Sequence, residues 1–316
     1  MRRRSLFKSI GAFVAGMSLP AVTEASAGGP RIKARPGSEK PRQKQFVEAP
    51  DGTSLFFRAC GKGRPMLFVA PWALNSNWWE YQMADLSERG IRCVGYDRRG
   101  HGHSDEPSHG YDFDTLADDL ASVIEQLALR EIILVGQSLG CSEVVRYLSR
   151  HGAKRVAHVV MVATITPFVL KTEDNPEGVD RAALENVRRT LSKDRPGPIA
   201  AAAPAFFGAP KDTVSKGMMD WWARMMVDQC SLRVMLELHR MFTETDFRPE
   251  LRKITVPTLL IHGDSDTAAP LETTGRRTAA LIAGSQLKVY EGAGHGLPIT
   301  HAEPLNADLL AVAKSS

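Results

Sequence analysis

Four cysteines in 316 residues, none in a C-x-x-C pair, leave neither a zinc site nor a disulfide framework legible. Cys60, Cys141 and Cys230 stand far apart, and Cys93, inside an apolar run, reads as a small packed hydrophobe. Long hydrophobic runs are also missing. The apolar stretch at 10–22 falls short of the roughly 20 residues that a membrane-spanning helix needs. No fixed-period repeat is visible. A strong excess of one charge is absent too: the net charge is +4, and most of it sits at one end.

Residues 1–27 carry four Lys/Arg against one Glu, and residues 28–45 carry six against one. The remainder is therefore mildly acidic, which gives nucleic acid no electrostatic footprint. Arg2-Arg3-Arg4, then Ser5-Leu6-Phe7-Lys8, an apolar run and Ala25-Ser26-Ala27 follow the order of an export signal. The paired arginines resemble a twin-arginine signal. Residues 1–27 are thus expected to be a signal cleaved after Ala27, and residues 28–43 a disordered basic leader. Residues 44–316 are expected to form the folded domain, exported to the periplasm or medium with no stable membrane span after cleavage. Neither nucleic acid nor a metal is expected as a partner, and an oligomer is compatible with the sequence.

What the chain does have is alternation. Residues 45–59 read as a hairpin turning at Asp51-Gly52. Short apolar strands follow at 66–69, 92–96, 132–135, 156–162, 258–262 and 287–291. Between the early ones lie helical patterns near 79–89 and 114–128, the latter marked by Leu116, Leu120, Val123, Ile124 and Leu127. Strands alternating with helices predict an α/β fold: a mostly parallel sheet with an N-terminal hairpin and helices on both faces. From 165 to 250 the alternation stops, and Met and Trp recur at helical spacing. An insertion there would lie over the carboxyl ends of the strands, where such sheets bind ligands, so a helical cap shaping an apolar pocket is expected.

The pentapeptide Gly136-Gln137-Ser138-Leu139-Gly140 sits between the strand at 132–135 and an amphipathic stretch. G-x-S-x-G between strand and helix is the context of a nucleophile elbow. A serine hydroxyl needs a base, and nine histidines are available. His101, His103 and His109 fall in a polar loop, His151 ends a helix, and His239 lies in the cap. His158 and His262 lie in or at the end of strands, and His301 precedes the last helix. His295 differs: it follows the last strand within Gly292-Ala293-Gly294-His295-Gly296, whose glycines give the loop room to present the ring. The third member should be a carboxylate after the strand at 258–262. Asp264 and Asp266 are both available; Asp264 falls where an aspartate often bonds turn amides, and Asp266 is preferred because it reaches further into the loop. The order Ser138, Asp266, His295 is that of the α/β-hydrolase fold. For an oxyanion hole, Leu139 N–H is one expected donor. Pro71 has no N–H, so Trp72 N–H is the expected other.

The chain also resembles the cofactor-free bacterial haloperoxidases, a family of α/β-hydrolases also described as perhydrolases and aryl esterases. The resemblance rests on Tyr96-Asp97-Arg98-Arg99-Gly100-His101-Gly102-His103-Ser104, on Gly110-Tyr111-Asp112-Phe113-Asp114-Thr115, and on the elbow. It continues in residues 167–176, the Asp266 loop, Gly294-His295-Gly296-Leu297 and Thr300-His301-Ala302-Glu303. It implies a Ser138–His295–Asp266 triad, oxyanion donors at Trp72 and Leu139, small esters as substrates and no cofactor. Some members of the family form peracids from a carboxylic acid and peroxide. Two departures stand out. The family commonly reads His-Gly-Trp-Pro where this chain has Ala70-Pro71-Trp72-Ala73, and the missing proline is associated with efficient perhydrolysis. Gln137 stands where Phe is frequent. Ser138 argues against dehalogenation and epoxide opening, which use an aspartate nucleophile on this fold. Carbon–carbon bond hydrolysis, lactone opening and a slow-turnover binding module remain open alternatives.

Overall fold

A computed structural model describes residues 45–208 and 214–315. The expected export signal and basic leader at 1–43 lie outside the described residues. Eight strands form one sheet: β1 (Phe46–Glu48), β2 (Ser54–Cys60), β3 (Arg64–Val69), β4 (Ile91–Tyr96), β5 (Ile132–Gln137), β6 (Val156–Val162), β7 (Thr258–Gly263) and β8 (Gln286–Tyr290). Their spatial order is β1-β2-β4-β3-β5-β6-β7-β8. β1 and β2 pair antiparallel, as the hairpin reading requires, and β2 joins β4 antiparallel. Every pairing from β4 onward is parallel.

The side-chain alternation of each strand divides the core in two. Met66, Phe68, Ile133, Val135, Val160 and Val162 bury one face of the sheet. Leu67, Val69, Ile132, Leu134, Val159 and Met161 bury the other. Both faces are apolar, which is why these strands read as continuous hydrophobic runs. α1 (Glu80–Glu88) packs on the first face, and α2 (Phe113–Gln126) and α3 (Leu139–His151) cover the second. Asp112 caps α2 by accepting a hydrogen bond from Thr115 N at 2.9 Å.

Among the described residues, five helices stand between β6 and β7: α4 (Arg181–Lys193), α5 (Pro196–Phe207), α6 (Lys216–Asp228), α7 (Leu232–Glu244) and α8 (Arg248–Leu251). Trp222, Met225, Met226 and Met235 join the first core cluster, so part of this Met/Trp stretch is ordinary core. α9 (Gly275–Leu281), α10 (Leu297–Thr300) and α11 (Ala302–Lys314) complete the chain. Among the described residues no helix is long and apolar enough to cross a membrane.

Two buried arginines follow β4, and sequence periodicity gave no sign of their partners. Arg99 donates to Asp119 at 2.6 and 2.7 Å and to Asp51 at 2.8 Å. Arg98 donates from Nε to Glu143 of α3 at 2.8 Å and from Nη2 to Ala70 O at 2.8 Å. Burial pushes the Glu143 carboxyl up and lowers Arg98 to about 10, and the two side chains meet as a buried pair at 2.8 Å. Removing one partner strands the other charge away from water. Glu143→Ala is therefore expected to cost about 3–5 kcal/mol, read from urea unfolding midpoints.

Candidate active site

Ser138 ends the turn from β5 into α3 with φ 54° and ψ −118°, outside the usual basins for an L-residue. The two glycines explain how the chain tolerates this. A Cβ on Gly136 would lie 2.7 Å from Gly140 O, and one on Gly140 would lie 2.5 Å from Val69 O. The turn is thus packed backbone to backbone. Leu139 opens α3, so its N–H belongs to the first-turn amides that a helix leaves without an internal acceptor.

The structure brings Asp266 and His295 together at the carboxyl end of the sheet. His295 Nδ1 lies 2.7 Å from Asp266 Oδ2. Asp266 Oδ1 accepts from the amides of Ala268 and Ala269 at 2.9 and 2.8 Å. Burial would raise this carboxyl, but the attraction of His295 and these hydrogen bonds outweigh it, and the net shift is downward. Asp264, the other candidate, accepts instead from Gly292 N at 2.8 Å and so ties the histidine loop to β7. His262 was expected to be a bland strand-end residue. It is fully buried, donates from Nε2 to Ala269 O at 2.7 Å, and stands 3.5 Å from Asp266 Oδ2. Burial lowers its pKa, so the imidazole beside Asp266 stays neutral. His101, placed by sequence in a polar loop, is likewise buried, with Nδ1 3.0 Å from Arg99 O.

The glycines around His295 serve a different purpose from the one expected. They admit close contact rather than leave room. A Cβ on Gly294 would meet Gly208 N at 2.5 Å, and one on Gly296 would meet the Phe207 ring at 2.4 Å. Gly296 N donates to Phe206 O at 2.8 Å, which pins the loop to the end of α5. Gln137, the departure beside Ser138, donates from its amide nitrogen to His295 O at 2.7 Å. Its amide oxygen accepts from the Trp78 indole. The residue beside Ser138 therefore fixes the backbone of His295.

Ser138, His295 and Trp72 line one cavity of about 480 Å³ beneath α4–α7. Its walls are largely apolar, with Ile165, Val169, Leu184, Leu191, Ile199 and Phe242 among them. Trp72 anchors its indole through a hydrogen bond to Met235 O at 2.9 Å. The turn carrying Trp72 is closed by Leu74 N on Pro71 O at 3.4 Å, and Ala73 within it is buried with φ 59°. Proline is locked near −65°, so it cannot enter at Ala73 without refolding the turn. The missing family proline is therefore a change of backbone conformation as well as of side chain. Ala73→Pro is expected to lose more than ~1 kcal/mol of stability and most ester turnover, without gaining peroxide-dependent bromination in acetate. Urea midpoints and the two rates measured on one preparation check this.

Among the described residues no group of three or more His, Cys, Asp or Glu side chains is arranged to hold a metal ion. Cys60 and Cys93 face each other across β2 and β4 as free thiols, a pairing that sequence spacing does not reveal. Burial, with Cys60 adjacent, pushes the Cys93 thiol up to about 12.

Residues 64–302 match the family model of the alpha/beta hydrolase fold. A non-heme haloperoxidase of Rhodococcus erythropolis is 39% identical over 274 residues, covering 85% of this chain and 99% of its own. A bifunctional esterase/perhydrolase of Acinetobacter calcoaceticus is 35% identical over 276 residues, with 85% and 99% covered. The crystal structure of a bromoperoxidase from Bacillus anthracis superposes with a TM-score of 0.81 at 35% identity, covering 85% of this chain and 99% of that one. With this sheet order, this elbow and these relatives, the chain belongs to the alpha/beta hydrolase family as an enzyme of the serine-hydrolase type, related to the bacterial non-heme haloperoxidases.

Proposed function

We propose that the protein is a serine esterase for small carboxylic esters. Ser138 Oγ attacks the ester carbonyl while His295 Nε2 takes the hydroxyl proton, and Asp266 holds the ring and stabilises its cation. Trp72 and Leu139 amides receive the developing oxyanion. His295 then protonates the leaving alcohol, and water, activated by the same imidazole, releases the acid and restores Ser138. Hydrogen peroxide in place of water would release a peracid, and perhydrolysis is the side activity we assign. The observation that carries the proposal is the His295–Asp266 contact of 2.7 Å beside an apolar cavity that Ser138 also lines. The esterase/perhydrolase relative supports the reaction class. Helices α4–α7 act as the cap that selects the acyl or alcohol part.

The test is p-nitrophenyl acetate turnover together with fluorophosphonate inactivation. Stoichiometric labelling with loss of turnover is expected, and turnover that survives labelling would rule the mechanism out. For residues 1–27 the proposal is twin-arginine export, motivated by Arg3-Arg4 ahead of the apolar run and Ala25-Ser26-Ala27. N-terminal sequencing of exported protein should begin at Gly28, and retention of Met1 in the cytoplasm would refute it.

A further inference from the structure

The cavity over Ser138 holds one buried imidazole that ester hydrolysis does not use. Among its lining residues, four hydroxyl or imidazole side chains are buried: Ser138, His239, Thr243 and His295. Ser138 and His295 serve the acyl transfer proposed above. Thr243 spends its hydroxyl inside α7, donating to His239 O at 2.7 Å and to Arg240 O at 3.1 Å. His239 is left. Its residue is 5% exposed, in an apolar wall beside Trp72 and Phe242, with ring centroids 5.4 and 5.1 Å away.

The protonation of this ring is fixed from behind. Arg188 of α4, 9% exposed, places Nη1 3.4 Å from His239 Nδ1. Glu244 steadies the same guanidinium from 3.6 Å. A guanidinium can only donate, so Nδ1 must accept, and the single imidazole proton sits on Nε2. Burial, then the nearby Arg188 charge, lowers His239 to about 4, so the ring is neutral in the physiological range. With Nδ1 turned to Arg188, Nε2–H is the edge left for the cavity, and it makes no hydrogen bond to any described residue. Solvent reaches that nitrogen, and a ligand oxygen that accepts from it takes the place of a water.

We propose that His239 determines specificity by donating Nε2–H to a second oxygen on the substrate, apart from the scissile ester. The substrate class is then a neutral oxygenated ester, such as a keto ester, rather than a simple alkanoate. A carboxylate would meet only one neutral donor in an apolar wall, too little to offset its desolvation. The inference rests on the esterase proposal for the seat of the acyl chain, but its test needs no turnover.

Ser138→Ala protein is titrated by calorimetry with methyl esters of keto acids of increasing chain length. Each is paired with the alkanoate lacking the keto oxygen. At one chain length or more the keto ester should bind about tenfold tighter than its partner, the ratio expected of one hydrogen bond. His239→Leu in the same background should bring that ratio to one, and His239→Gln, which keeps a donor, should retain part of it. Equal binding at every chain length, or a ratio unchanged in His239→Leu, would overturn the proposal. A failure of the esterase mechanism shows separately, as absent fluorophosphonate labelling of the wild type.

Discussion

Ser138→Ala is expected to lower kcat for p-nitrophenyl acetate by a factor on the order of 10⁵ to 10⁶. In the proposed mechanism the oxygen removed is the atom to which the acyl group bonds, so no neighbour can substitute for it. Residual turnover above the uncatalysed rate should persist, because the proposed oxyanion donors and the cavity remain and would still bind the transition state for attack by water. Stability should change little. The side chain is small, and the strained φ of 54° is held by contacts of Gly136 and Gly140 with neighbouring backbone, which the substitution leaves alone. An unfolding midpoint close to wild type, with activity lost, separates the chemical role from a structural one.

Asp266→Asn should lower kcat by about 10⁴, and the surroundings of the carboxylate show why. Oδ1 accepts from two backbone amides, Ala268 and Ala269. In the asparagine variant the amide oxygen is held at that position, because an NH₂ group would face two donors there. The amide nitrogen must then face His295 Nδ1 and donate to it. The imidazole proton is forced onto Nε2, the nitrogen that takes the serine proton in the proposed mechanism, so the base would be blocked by its own tautomer. Asp264→Asn is the matched control. Its oxygen can still accept from Gly292 N, and kcat should stay within about threefold of wild type. Steady-state rates of the two variants side by side decide between the carboxylates.

These predictions draw on features that sequence patterns revealed to different degrees. The strands were legible because both sheet faces are buried, so Ile132-Ile133-Leu134-Val135 and its counterparts carry apolar side chains at every position. The elbow was legible because its packing is local: the atoms that exclude a Cβ at Gly136 belong to Gly140 and Cys141. Asp266 and His295 were singled out by their place after strands, and the structure puts the two side chains 2.7 Å apart. Asp266 bonds His295, whereas Asp264 bonds Gly292 N.

What stayed hidden depends on partners distant in sequence. His239 and Arg188 belong to separate helices, and neither helix carries a signature for the other. Arg98 meets Glu143, and Gln137 meets His295 O, only once β4, β5 and the last loop are assembled. His262 looked like a strand-end residue because its neighbour Asp266 lies across a turn. The backbone at Ala73 was hidden for another reason. Alanine gives no sign of a positive φ, whereas a glycine there would have done so.

The central claim is that an acyl group passes through Ser138. Rapid quenching of wild-type protein with p-nitrophenyl acetate, followed by peptide mass mapping, tests it directly. One acetyl group should appear per chain, on the peptide carrying residues 136–140, and it should be lost on the timescale of turnover. An acetyl group on another residue, or turnover with no adduct at Ser138, would contradict the mechanism.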